Sequence, residues 1–215
     1  MEKIVVGEIE TNCYIVPHEN GKAFVIDPGG EAARIAARLD ALSLLPCAIL
    51  LTHGHLDHIA ALPELVSIFE QRKIGLEIII HKNDSMFLGE DSFSAHCATF
   101  AAATGGSDDF VRDIWQGMPC ATRFMEEGDV IGRFSVIHLP GHTQGSVALY
   151  DAKNARVFSG DTLFRGTVGR TDLPESSAAL LKKSLARILT LPGGTTVFSG
   201  HGGQTSIEDE KALFL

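Results

Sequence analysis

The chain has 215 residues, 45% hydrophobic and 21% charged, with a formal net charge of −9. That length suits one large globular domain, read here as residues 1–215. The acidic balance disfavours nucleic acid as a partner, because it repels phosphate backbones and no Lys/Arg run offsets it. No apolar run is long enough to span a bilayer, and residues 1–8 lack the charged-then-apolar pattern of an export signal. The expectation is a cytoplasmic protein with no membrane partner. Cys13, Cys47, Cys97 and Cys120 form no CxxC pair and read as free thiols, whereas nine histidines supply ample metal ligation.

In chain order, residues 13–16 and 23–26 are apolar runs flanking Glu19-Asn20-Gly21, which predicts a hairpin. Asp27-Pro28-Gly29-Gly30 ends the second run. Residues 31–45 place Ile35, Leu39 and Leu42 on one helical face. A buried strand over 47–51 closes on Thr52-His53-Gly54-His55. A helix over 64–71 follows, with Pro63 tolerated in its first turn, and then a strand over 76–80. Residues 83–122 are rich in Ser, Ala, Gly and Asp and hold no clear strand. They read as an insertion or lid, with Ser107-Asp108-Asp109 capping a helix that aligns Phe110, Ile114 and Met118.

Strands resume over 134–139, 146–150, 156–159 and 196–199. A helix over 176–191 carries Leu181, Leu185 and Ile188 on one face. Two successive strand-then-helix halves predict an α/β fold of the four-layer αβ/βα kind, two mixed sheets flanked by helices, rather than a doubly wound parallel sheet.

The chemistry is concentrated in His53-Gly54-His55-Leu56-Asp57-His58, three imidazoles and a carboxylate within six residues after a buried strand. Zinc takes nitrogen or oxygen ligands at about 2.0–2.2 Å in roughly tetrahedral geometry. One such cluster cannot fill two shells, so further ligands are expected downstream. Gly141-His142-Thr143, Gly160-Asp161-Thr162 and Gly200-His201-Gly202 supply them, each beside a glycine that permits close backbone approach. Taken alone, Asp161 reads more readily as a turn or cap residue than as a ligand.

These motifs resemble the metallo-β-lactamase superfamily, and more closely its short glyoxalase II-like branch, from Thr11-Asn12-Cys13 to about Thr205 except over residues 83–122. The resemblance implies that His53, His55 and His142 hold one metal ion, that Asp57, His58 and His201 hold another, and that Asp161 bridges them. Two divalent ions, zinc by preference with iron or manganese as options, are the implied cofactors. By analogy Asp27 orients a ligand histidine from behind. Arg170, in Gly169-Arg170-Thr171-Asp172, reads either as a structural arginine paired to Asp172 or as a substrate-steering group. His18, His81, His96 and His138 read as bystanders.

The implied activity is hydrolysis, with a metal-bridging hydroxide attacking a carbonyl and Asp57 as the catalytic group that orients the nucleophile or takes its proton. The segment from Gly160 to Asp172 looks most like proteins that hydrolyse a hydroxyacylglutathione thioester, a small-molecule substrate. The chain ends fourteen residues after His201, so the helical domain that holds glutathione in longer relatives has no counterpart, and residues 83–122 are expected to replace it. Asp161 and the missing export signal argue against antibiotic hydrolysis. The alternative on the same residues is a persulfide dioxygenase with one iron on His53, His142 and Asp161. A metal-binding protein without catalysis is a third, weaker reading.

Overall fold

The computed structural model describes residues 1–214. The first sheet grows in chain order. An antiparallel meander of β1 (Glu2–Val6), β2 (Thr11–Pro17) and β3 (Lys22–Ile26) opens it. Helix α1 (Ala32–Ala41) then crosses to β4 (Leu45–Leu50), which pairs parallel to β3. Short α2 (Leu56–Ile59) and α3 (Leu62–Gln71) lead to β5 (Glu77–His81), again parallel. Helices α4 (Phe93–Thr104) and α5 (Asp109–Ile114) precede the parallel edge strand β6 (Arg123–Met125).

The second sheet contains β7 (Val130–Ile131), β8 (Phe134–His138), β9 (Val147–Asp151) and β10 (Arg156–Gly160), all antiparallel neighbours. A small ribbon of β11 (Leu163–Phe164) and β12 (Thr167–Val168) stands apart from it. Helix α6 (Ala178–Ile188) crosses to β13 (Thr196–Ser199), parallel to β10. β14 (Thr205–Ser206) and α7 (Ile207–Phe214) complete the chain.

Strand alternation builds the layers. On β2, Tyr14 and Val16 face the second sheet, where they meet Phe134, Val136 and Phe158. Cys13 and Ile15 face the helices. On α1, Ala32, Ile35, Ala36 and Leu39 recur at helical spacing and are buried against that outer face. Burying Ile35 or Leu39 stabilises the layer by roughly 1.5–3 kcal/mol each. The outer face of the second sheet packs Val157 and Val197 against Ile188 and Ile207. The result is the expected four-layer α/β sandwich of two mixed sheets.

Several elements depart from the sequence reading. α1 stops at Ala41 rather than 45, because Ser43 turns left-handed at φ 54° and Leu44 N–H donates back to Leu39 O at 3.0 Å. α4 falls in the stretch read as an insertion or lid, where the sequence predicts only one helix, around Phe110. Its twelve residues carry apolar groups on every side, so no stripe marks it, although its alanines favour helix. α5 spans six residues and leaves Met118 beyond its end, and Asp108 pairs with Arg112 rather than capping it.

Candidate metal centre

The parallel crossovers bring four carboxyl ends to one rim. Ile26 of β3 pairs with Leu50 of β4, so Asp27 and Thr52 follow side by side. β10 and β13 pair through Gly160 and Ser199, which sets Asp161 beside His201. The two sheets are tied at this rim by Asn12 N–H to Gly200 O (2.7 Å), Tyr14 Oη–H to Ser199 O (2.6 Å) and Val147 N–H to Thr52 O (2.8 Å). His53 and His55 leave β4, Asp57 and His58 ride on α2, and His142 sits in the β8–β9 turn. Gly200 must lack a side chain here, since a Cβ would stand 2.1 Å from Asp161 Oδ1.

All seven sequence-predicted residues converge. Ligand atoms of His53, His55 and His142 lie within 4.8 Å of one another, as do those of Asp57, His58 and His201, and those of His53, His58 and Asp161. Asp161 stands between the groups, 3.3 Å from His58 Nε2 and 3.6 Å from the Nε2 atoms of both His142 and His201. Asp57 Oδ2 lies 3.2 Å from His201 Nε2 and accepts the Thr11 hydroxyl at 3.4 Å.

Each histidine is held from behind. His142 Nδ1 donates to Arg170 O (3.0 Å) and His201 Nδ1 to Ile9 O (3.1 Å). Carbonyls only accept, so both rings carry their proton outward and turn the Nε2 lone pair inward. His58 Nδ1 donates to Asp27 Oδ2 (3.0 Å). Asp27 also accepts the Thr52 hydroxyl (2.6 Å) and Thr52 N–H (2.7 Å), which leaves Thr52 Oγ1 to accept from His53 Nδ1 at 3.2 Å. Asp27 achieves this in a left-handed backbone (φ 50°), a conformation non-glycine residues rarely adopt.

Two supporting residues escaped the sequence reading. Glu175 Oε1 lies 2.5 Å from His55 Nε2, so His55 presents Nδ1 to the centre. Buried Asp84 accepts Gly54 N–H (3.0 Å), Gly145 N–H (2.6 Å) and the Thr143 hydroxyl (2.7 Å), clamping the loops of His55 and His142 together. Neither belongs to a motif, because the partner of each lies between 30 and 120 residues away.

The electrostatics follow from burial and crowding. Desolvation, then neighbouring imidazoles, pushes His53 well below the usual histidine range, and burial brings His142 down to about 4. Burial opposes charge on His58 as well, but Asp161 and Asp57 outweigh it and raise its pKa. Desolvation works against charge on Asp57 and Asp161, yet His58 keeps both below the carboxylate range.

The profile of the metallo-beta-lactamase superfamily matches residues 6–201. The chain belongs to that superfamily. It is 34% identical to the hydroxyacylglutathione hydrolase GloC of Haemophilus influenzae, across 98% of this chain and 94% of that one. The solved structure of TTHA1623 in a di-iron-bound form is similar at a TM-score of 0.81 and 36% identity, covering 99% of this chain and 98% of that one. The structure of the BLEG-1 B3 metallo-beta-lactamase matches at 0.81 and 34%, with 98% and 96% covered. Among the described residues no helix is long and apolar enough to cross a membrane.

The remaining candidates lie nearby. Arg170 is 44% exposed and pairs with Asp172 at 2.7 and 2.9 Å, so it is paired but not buried. It lines a cavity of about 240 Å³ over the centre. His96, read as a bystander, lines the same cavity and donates Nε2–H to Phe87 O at 2.9 Å. His81 and His138 stack at 4.0 Å away from these clusters.

Proposed function

We propose that the chain is a dinuclear metal-dependent hydrolase acting on a thioester such as a hydroxyacylglutathione. One observation carries the metal reading. His53 Nε2 and His142 Nε2 are buried with no hydrogen-bond partner among the described residues, a costly state unless a cation completes it. The donor set of five imidazoles and two carboxylates fits zinc, and equally iron or manganese. His53, His55 and His142 would hold one ion, Asp57, His58 and His201 the other, with Asp161 shared. Bound there, the ions would supply Lewis acidity, lowering the pKa of water towards about 7 and polarising a carbonyl.

The chain's own groups do the rest. Asp57, at the mouth between Thr11 and His201, orients the attacking water and receives its proton. Water adds to the carbonyl carbon, the carbon–sulfur bond breaks, and the thiol leaves with the proton. Arg170 stands at the cavity rim, where its guanidinium steers an anionic substrate.

The test is loss of thioester absorbance from S-lactoylglutathione with metal-replete protein, and with Asp57→Asn as control. Turnover abolished by the variant supports this reading. No turnover in metal-loaded protein removes it. One iron per chain with oxygen uptake on glutathione persulfide would put a dioxygenase in its place, and turnover of a β-lactam would put antibiotic hydrolysis there. The grouping of Asp57, His58 and His201 favours two ions over the mononuclear alternative.

A further inference from the structure

We infer that the cavity over the metal centre takes an unbranched hydrocarbon chain, so that the preferred substrates carry an apolar acyl group rather than a short hydroxyacyl one. The inference deepens the thioester reading above and rests on it for the acyl–sulfur linkage.

The cavity has two unlike ends. At one lie His55, Asp57, His142, Asp161 and His201; beyond them the walls are Ile9, Leu56, Phe100, Ala103, Phe110 and Leu173. Residues 83–122 build the far wall, where Phe100 of α4 and Phe110 of α5 stack at 5.0 Å with rings 18° apart. Ile9, in the β1–β2 turn, is 49% exposed opposite them. A second cavity of about 190 Å³ shares Ile9, Leu56, Asp57 and Phe110 with the first and adds the exposed Ile114. An apolar path therefore leads away from Asp57 past Phe110.

The polar groups along this path are already engaged. Thr99 donates to Glu175 at 3.2 Å, His96 to the Phe87 carbonyl at 2.9 Å, and Arg170 to both oxygens of Asp172. Among the described residues Arg170 Nη1, at the rim, and His96 Nδ1 keep free hydrogen-bonding capacity, while the wall formed by Ile9, Leu56, Phe100, Ala103, Phe110 and Leu173 is apolar. Large apolar side chains left open beside reactive groups gain by covering, and an alkyl chain covers them without stranding a polar atom.

The experiment measures binding of the thioethers S-methyl-, S-butyl- and S-hexylglutathione to the metal-loaded protein by calorimetry, so the readout is independent of turnover. Affinity should tighten by about fourfold per methylene, the value of burying one CH2. In Ala103→Phe, which shortens the path, the gain should stop at a shorter chain, with a melting curve showing that the variant is folded. Hydrolysis of S-hexanoylglutathione should correspondingly exceed that of S-lactoylglutathione in kcat/KM. Equal affinity across the series overturns the inference even if thioesters are hydrolysed. A graded series without hydrolysis of any thioester supports the chain-binding cavity and removes the thioester reading instead.

Discussion

Glu175 lies 2.5 Å from the ring nitrogen of His55 that points away from the metal centre, and the same carboxylate accepts the Thr99 hydroxyl of α4. The centre and the helix over its cavity therefore share one carboxylate. A carboxylate behind a ligand imidazole fixes its orientation and raises its basicity. Glu175→Gln keeps the volume but loses the charge, and should weaken metal binding by roughly 10–100-fold. Competition with a chromophoric chelator measures this. Unchanged affinity would show that Glu175 only anchors α4.

Asp27 accepts from Thr52 twice and from His58 once, all in the buried layer behind the site. Asp27→Asn puts an amide where one carboxylate oxygen stood, leaving at least one buried donor without an acceptor. The expected cost is about 1–3 kcal/mol in metal-free protein, read as a shift of the urea midpoint. The same variant should lose metal preferentially from the Asp57, His58 and His201 group. A stable variant with full metal content would reduce Asp27 to a turn residue.

His58 gives the site a definite pH response. Burial opposes its charge, yet the adjacent Asp161 and Asp57 raise its pKa above the usual histidine value. Below that raised value metal-free His58 carries a proton, and this proton contributes stability that is lost as pH rises through the raised value. Metal loading must expel it. Zinc affinity should therefore increase as pH rises from the ordinary histidine range through the raised value of His58, with proton release seen by calorimetry in buffers of different ionisation enthalpy. Affinity independent of pH would contradict the role given to His58.

Much of this arrangement was legible because it is local. His53, His55, Asp57 and His58 share one short loop, and β2, β3 and β4 announce themselves by continuous apolar runs. His142, Asp161 and His201 each follow or precede a glycine at a strand end, a signal that gains meaning once the first cluster is seen. What stayed hidden depends on distance in sequence. Glu175 meets His55 across 120 positions and Asp84 meets Thr143 across 59, with no spacing rule to link them. β1 escaped because its Ile4 and Val6 form too short an alternation to stand out, and α4 because alanine on all faces leaves no periodicity.

Metal content per folded chain is the most direct measurement, taken by elemental analysis on purified wild-type protein and on His201→Ala. Two ions per chain are expected in the wild type, falling to one when His201 is removed, because His53, His55 and His142 remain intact as a group. One ion in both proteins would contradict the dinuclear centre and leave Asp57, His58 and His201 without the role assigned to them.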